Sequence, residues 1–194
     1  MLFPAFNRAR TFAAKTLCMN NLKQIGVALH LYAFDYDDIL PPLINGLQGS
    51  CMVVKMNNIP VGLGHIIGNY GTLAANFGCP LSPANLPAKV AENWQNKSSV
   101  QNAYFYRYND CGFNPVLSHP ENSGKAFLLD FCCFMTGRPI VSHNYEDVNI
   151  AYVDGSVIRK KNSPSPGEFF TVSAIINNGI MSTSSESAWE NADL

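Results

Sequence analysis

Residues 5–25 run without a glycine or a proline, and apolar side chains recur beyond them at helical spacing. Cys18, Leu22, Ile25, Leu29, Tyr32 and Tyr36 stand four, three, four, three and four apart, which makes a single stripe on an α-helix. Val27, Leu31 and Phe34 widen that stripe, while Asn20, Lys23 and Gln24 lie off it. The pattern predicts one helix over about residues 5–36, half exposed early and more deeply buried towards its end. Gly26 alone weakens the run, by about 1 kcal/mol. At 1.5 Å per residue, about 28 helical residues span about 42 Å, long for a chain of 194 residues.

The start of this helix is anomalous. Arg8, Arg10, Lys15 and Lys23 precede any acid, and the first carboxylate is Asp35. A helix N-terminus favours Asp or Glu in its first turn and a Ser, Thr, Asp or Asn cap. Two readings stay open. Either Asn7 caps the helix, or the helix continues upstream of Met1 and its cations sit at a membrane boundary.

The chain is 47% apolar but only 14% charged, with a net charge of −1. Soluble domains average about 25% charged residues, so uncharged polar groups, including twenty-one Asn, carry much of the surface. Near-neutral charge argues against a nucleic-acid partner, and the apolar content excludes intrinsic disorder. No run of about 18 apolar residues is present, and no secretory signal opens the chain. One domain is expected over 1–194: helix 1–36, a sheet with an insertion over 37–161, and a linker and tail over 162–194.

Cysteines stand at 18, 51, 79, 111, 132 and 133, with no Cys-x-x-Cys pair, which removes zinc-ribbon and thioredoxin-like readings. An even count permits disulfides in an oxidising compartment, but most of the six read as small buried apolar groups.

Asp35-Tyr36-Asp37-Asp38 and then Pro41-Pro42 end the helix. Strands are expected at Cys51–Met56, Tyr104–Tyr108 and Ala126–Phe134. Residues 61–78 read as irregular structure or a short helix, and 82–96 as a peripheral helix anchored by Trp94. Val148, Ile150 and Tyr152 alternate with Asn149 and Ala151, and Asp154-Gly155 then turns the chain back; Asp-Gly between alternating runs is a hairpin signature. Residues 162–167 form a Pro/Ser linker, and Phe169–Ile176 and Trp189 are the apolar parts of the tail. One long helix with several short antiparallel strands is an α+β arrangement in which the helix lays its stripe across the sheet.

Several segments together resemble a known family. Residues 1–10, then Cys18-Met19-Asn20-Asn21-Leu22-Lys23-Gln24-Ile25-Gly26, then Tyr32, Asp35, Tyr36, Asp37, Leu40 and Pro41 are similar to type II secretion pseudopilins and type IV pilin-like proteins. The branch carries a prepilin-type N-terminal segment and a later His, nine residues, Asp-Gly motif. Phe77-Gly78-Cys79-Pro80, Leu128-Leu129-Asp130, His143 and Asp154-Gly155 extend the match. Ten residues rather than nine separate His143 from Asp154, and Asn144-Tyr145-Glu146 replaces the usual glycine-rich stretch. The resemblance implies a pilin-like fold with a helical insertion around 62–96 and an apolar helix upstream of Met1. The function it implies is that of a structural subunit that is not an enzyme. Its partners would be sister subunits, packed through Leu22, Ile25, Leu29 and Tyr32, and the inner membrane, with the domain outside the cytoplasm or in a fibre.

His143 with Asp154 and Asp130 admits an acid–base or metal reading, and a Cys–His pair would need Cys132 or Cys133 beside His143. The favoured reading is structural: His143 hydrogen-bonds near the hairpin and Asp154 serves the turn. His30 reads as a satisfied core or flank residue. Asp35, Asp37 and Asp38 offer oxygen ligands for calcium, and the family's secretion relatives imply Asp193 or Glu190 as another place for it; a solvated helix end is the default, and no cofactor is assigned. The rival function is a surface-displayed carbohydrate- or ligand-binding module that stacks glycans on Trp94, Tyr104, Tyr106 and Tyr108.

Overall fold

The computed structural model describes residues 3–43, 50–82, 84–109, 112–130, 143, 147–161, 189, 192 and 193. The opening helix, α1, spans Phe3–Asp35, 33 residues and about 50 Å. Asn7 therefore lies inside it and is not its cap; its carbonyl accepts a hydrogen bond from the Thr11 hydroxyl. The helix is two structures in one. Residues 5–10 are all exposed, and burial begins at Lys15 and Cys18. From there Cys18, Leu22, Ile25 and Leu29 are closed to solvent and Tyr32 nearly so. Val27, Leu31 and Phe34, expected to widen the buried stripe, are 54%, 46% and 86% exposed, because the sheet covers only one side of the helix. Tyr36 is likewise exposed and stacks on Tyr32 at 4.2 Å between ring centroids. No described helix is long and apolar enough to cross a membrane.

Beyond α1 lie β1 (Ser50–Met56), β2 (Ile59–Pro60), α2 (Pro87–Asn96), β3 (Val100–Arg107), β4 (Ala126–Leu129), β5 (Asp147–Tyr152) and β6 (Val157–Lys161). The six strands form one antiparallel sheet in the order β2-β1-β3-β4-β5-β6. The architecture is α+β, as the alternation of patterns predicts. The expected strand at 126–134 is described only to Leu129, and 131–134, the linker and Phe169–Ile176 lie outside the described residues. The insertion holds two short 3-10 helices, Gly62–Ile66 and Ala74–Phe77, and α2.

Both faces of the sheet are covered. Leu22, Ile25, Leu29, Tyr104, Tyr106, Phe127, Leu128 and Ala151 pack together on the α1 side. Met52, Phe105, Leu129, Val148, Ile150 and Tyr152 pack with Trp189 and Ala192 on the other. The alternation in β5 thus divides two interiors rather than core from water. Trp189 stacks on Phe105 at 5.2 Å, and Asp193 accepts from the Arg107 guanidinium and the Ala126 amide at 2.8 and 3.0 Å, so the end of the chain is fastened to the far face. Between β1 and β3 the register slips twice, and a buried asparagine mends the gap: Asn102 donates to the Met52 carbonyl at 2.8 Å while its own carbonyl accepts from Asn85.

Two glycines separate backbone freedom from close approach. A Cβ on Gly26 meets nothing nearer than the Phe127 ring at 3.7 Å, so Gly26→Ala keeps the packing and gains helix propensity. A Cβ on Gly64 falls 1.7 Å from the Val54 carbonyl oxygen, in the backbone of β1. In urea denaturation, Gly26→Ala is expected to raise stability by about 0.5–1 kcal/mol and Gly64→Ala to lower it by about 3 kcal/mol; equal effects of the two would refute this packing.

Candidate functional site

Where α1 first meets the sheet, the interface is polar. Cys18 on α1 and Cys79 in the insertion form a disulfide, with Cα atoms 5.6 Å apart. Cys79 reaches α1 because the chain around it is held on several sides. Its amide donates to Asn85, and the neighbouring Gly78 carbonyl accepts from Asn21 and from the Tyr104 hydroxyl at 3.3 and 3.2 Å. Gly78 has no room for a side chain, since a Cβ there lies 2.5 Å from the backbone of Pro87. Pro80, next in the chain, is half-buried.

His143 lies against this disulfide, wholly buried and in the left-handed backbone region at φ 58°. That region is uncommon for a residue with a side chain, and such strain persists only where the surroundings impose it. The surroundings are clear. Nδ1 meets the Asp147 carboxylate at 2.9 Å, Nε2 meets Asp130 Oδ2 at 3.2 Å, and the Cys79 sulfur is 3.8 Å from Nε2. Asp147, at the start of β5, also binds Lys15 Nζ at 2.8 Å. Asp130, just after β4, accepts from the Asn149 amide at 2.6 Å and from the Asn149 side chain, whose carbonyl accepts from Arg159 on β6 at 2.8 Å. Lys15, Asp147, His143, Asp130, Asn149 and Arg159 thus form one chain of polar contacts from the helix to the sheet edge.

Burial decides the protonation. It pushes the Asp130 carboxyl well above the usual carboxylate range, against the opposing hydrogen bonds from Asn149. Burial also lowers the His143 imidazole, outweighing the pull of Asp147 in the other direction. Both directions agree with one arrangement: Asp130 keeps its proton and donates to Nε2, while Nδ1–H donates to Asp147.

The expected partners divide. Asp154 is not among the groups around His143; its carboxylate accepts from the Ser156 amide at 2.8 Å inside the β5–β6 turn, where Gly155 takes φ +83°. The acids on His143 are Asp130 and Asp147, and its cysteine neighbour is Cys79. Cys111, Cys132 and Cys133 lie outside the described residues, as does the side chain of Cys51. Leu22, Ile25, Leu29 and Tyr32, expected to pack subunits together, are buried in the chain's own core, Tyr32 against the rings of His65 and Tyr70 in the insertion. Both ring nitrogens of His30 meet carbonyl oxygens at 2.8 Å. Asp35 accepts from the Tyr70 hydroxyl, and Asp38 accepts from the Ser118 amide. Asp193 accepts from Arg107, and Glu190 lies outside the described residues. Among the described residues, the group whose ligand atoms converge as for a metal ion is Cys18, Cys79 and His143, within 4.8 Å of one another.

Sequence reasoning passed over Lys15, Asp147, Asn149 and Arg159. Lys15 was visible as the position three before Cys18, where the stripe extends backwards onto a cation. Asn149 was visible as a polar residue between Val148 and Ile150. Comparison with family models, curated proteins and solved structures finds no match to this chain.

The site yields two expectations. The disulfide closes a separation of 61 residues, for which loop-closure entropy contributes about 4 kcal/mol. The double variant Cys18→Ala, Cys79→Ala should lose about 3–4 kcal/mol in chemical denaturation; a loss under about 1 kcal/mol would mean that the polar chain holds α1 unaided. The second concerns pH, with the disulfide intact. From about pH 4 to 6.5, the ordinary values of the two groups, the unfolded chain carries one proton on His143 and the folded chain one on Asp130. The pair then adds no slope. Above that window the unfolded chain loses its proton and the folded chain keeps it, so stability falls as pH rises. Below it the unfolded chain binds two protons and the folded chain one, so stability falls as pH drops. Each limb approaches about 1.4 kcal/mol per pH unit. The check is wild-type stability minus that of Asp130→Asn, His143→Gln across pH; a difference that rises steadily with pH refutes the neutral pair.

Proposed function

We propose that this chain is a structural subunit, a pseudopilin or pilin-like protein of a type II secretion or type IV pilus-like assembly. One observation carries the reading. A single helix is held to the rest of the fold from Lys15 onward, over a six-stranded antiparallel sheet, while its opening turns stand clear with Phe6 and Phe12 in solvent at 79% and 67% exposure, and Leu17 faces outward at 46%. An isolated helical arm with exposed aromatics is costly in water, and parallel copies of the same arm offer the cover it lacks. In this reading the arms bury one another at a fibre core and the heads face outward. The partners are sister subunits along the arm and the inner membrane at its N-terminal side, with the head outside the cytoplasm. The Cys18–Cys79 disulfide supports such a placement, since disulfides persist in oxidising compartments.

The proposal corrects where the helix meets its neighbours. Leu22, Ile25, Leu29 and Tyr32 belong to the head's own core, so contact between subunits falls to Phe6, Phe12 and Leu17 and to the outer face at Val27, Leu31 and Phe34. The glycan-binding rival loses its platform. Tyr104 and Tyr106 are closed to solvent, Tyr108 is half-buried, and half-buried Trp94 lies under the Lys55 ammonium at 5.0 Å.

The test is made in the producing cell. The protein should be processed by prepilin peptidase and sediment with fibre material. Phe6→Lys with Phe12→Lys should abolish sedimentation while the head melts as before. Unprocessed monomer that never sediments would overturn the reading.

A further inference from the structure

We propose that reduction of the Cys18–Cys79 disulfide turns this place into a tetrahedral zinc site formed by the two cysteine sulfurs, His143 Nε2 and Asp130 Oδ2. Zinc takes four such ligands at about 2.0–2.3 Å, so neighbouring ligand atoms stand about 3.3–3.8 Å apart. Nε2 already lies 3.2 Å from Asp130 Oδ2 and 3.8 Å from the Cys79 sulfur. The ligand atoms of Cys18, Cys79 and His143 lie within 4.8 Å of one another; Asp130 Oδ2 stands outside that group, beside Nε2, and closes the tetrahedron once the bond is cut and the two cysteine side chains rotate apart over their 5.6 Å Cα separation.

The surroundings match a metal site in a second respect. A metal-bound histidine characteristically donates its other ring N–H to a carboxylate, which fixes ring orientation and tautomer. Asp147 occupies that position at 2.9 Å from Nδ1 and is itself held by Lys15 at 2.8 Å. The Nε2 lone pair, which accepts from Asp130 while the disulfide is intact, faces Asp130 Oδ2 at 3.2 Å and the Cys79 sulfur at 3.8 Å. Asp130 is fixed in turn by the amide and side chain of Asn149. All four ligands are 0–1% exposed, which excludes competing water and lets a reduced chain take up the ion as it closes or refolds.

A phosphine reductant takes oxygen from water and becomes the phosphine oxide, and the disulfide gains two electrons and two protons to give two thiols. Zinc then displaces both thiol protons and the Asp130 proton to buffer. The ion replaces one cross-link between α1 and the insertion with another, and adds the sheet through Asp130.

The experiment uses the full 194-residue chain, with Cys51, Cys111, Cys132 and Cys133 changed to Ser so that other thiols do not contribute. It is reduced with a phosphine without oxygen and titrated with Co2+ and Zn2+. One ion per chain is expected, with a thiolate-to-cobalt charge-transfer band and the intense visible bands of a tetrahedral ion. The melting temperature should climb with zinc concentration, and zinc-edge X-ray absorption should give two sulfurs and two nitrogen or oxygen neighbours. The disulfide-intact chain should show none of this. His143→Gln and Asp130→Asn should each weaken zinc binding at least tenfold, and Asp147→Asn, a positioning change, by about 10- to 100-fold with the cobalt spectrum retained. If reduction unfolds the chain, zinc should restore its fold. The proposal is overturned if the reduced chain takes up no ion, if zinc fails to refold a chain that reduction has unfolded, or if His143→Gln binds as tightly as the parent.

Discussion

Everything else in this protein depends on the contact between one stripe of α1 and one face of the sheet. Leu22, Ile25 and Leu29 are the only large aliphatic side chains on the inner side of the helix's second half, and all three are removed from water. Burying each contributes about 1.5–3 kcal/mol, so the stripe fixes the rotation of the helix about its axis. That rotation carries Val27, Leu31 and Phe34 outward and Cys18 and Lys15 inward. The two-sided sheet follows from it: with one face under the helix, β5 needs cover for Val148, Ile150 and Tyr152, and Trp189 supplies it.

The polar chain at the edge of that contact does different work. Burying Asp130 and His143 is expensive, and a pair of this kind lends more to uniqueness of docking than to net stability. Hydrophobic stripes tolerate sliding, whereas the Lys15–Asp147 pair and the Asn149 side chain's bond to the Lys15 carbonyl can be satisfied in one axial position only. The disulfide then adds a covalent constraint at the same level of the helix. Loss of one partner leaves a buried polar group unpaired, which costs about 1–3 kcal/mol.

Local periodicity made the frame legible, and contacts between distant segments hid the site. The helical stripe and the Asp154-Gly155 hairpin each lie within a few turns or strands of chain, and their patterns sufficed. Val27, Leu31 and Phe34 misled because apolar residues on an outer helix face look the same in sequence as those on an inner one. Cys18 and Cys79 are 61 residues apart, and six cysteines admit fifteen pairings. His143 pointed to Asp154 by motif, yet Asp147, only four residues away, is its true partner on one side. Asp130 on the other side depends on which strands adjoin, which no local pattern declares.

The staple at residue 18 also divides α1 mechanically. About twelve residues of helix ahead of Lys15, some 18 Å at 1.5 Å each, project past it like an oar beyond its rowlock. Tension applied along that oar reaches the S–S linkage to the insertion and, through the Lys15–Asp147 pair, the first residue of β5. The covalent linkage leads that load into the insertion, so the ladder of β5 and β6 bears only what one ion pair passes on.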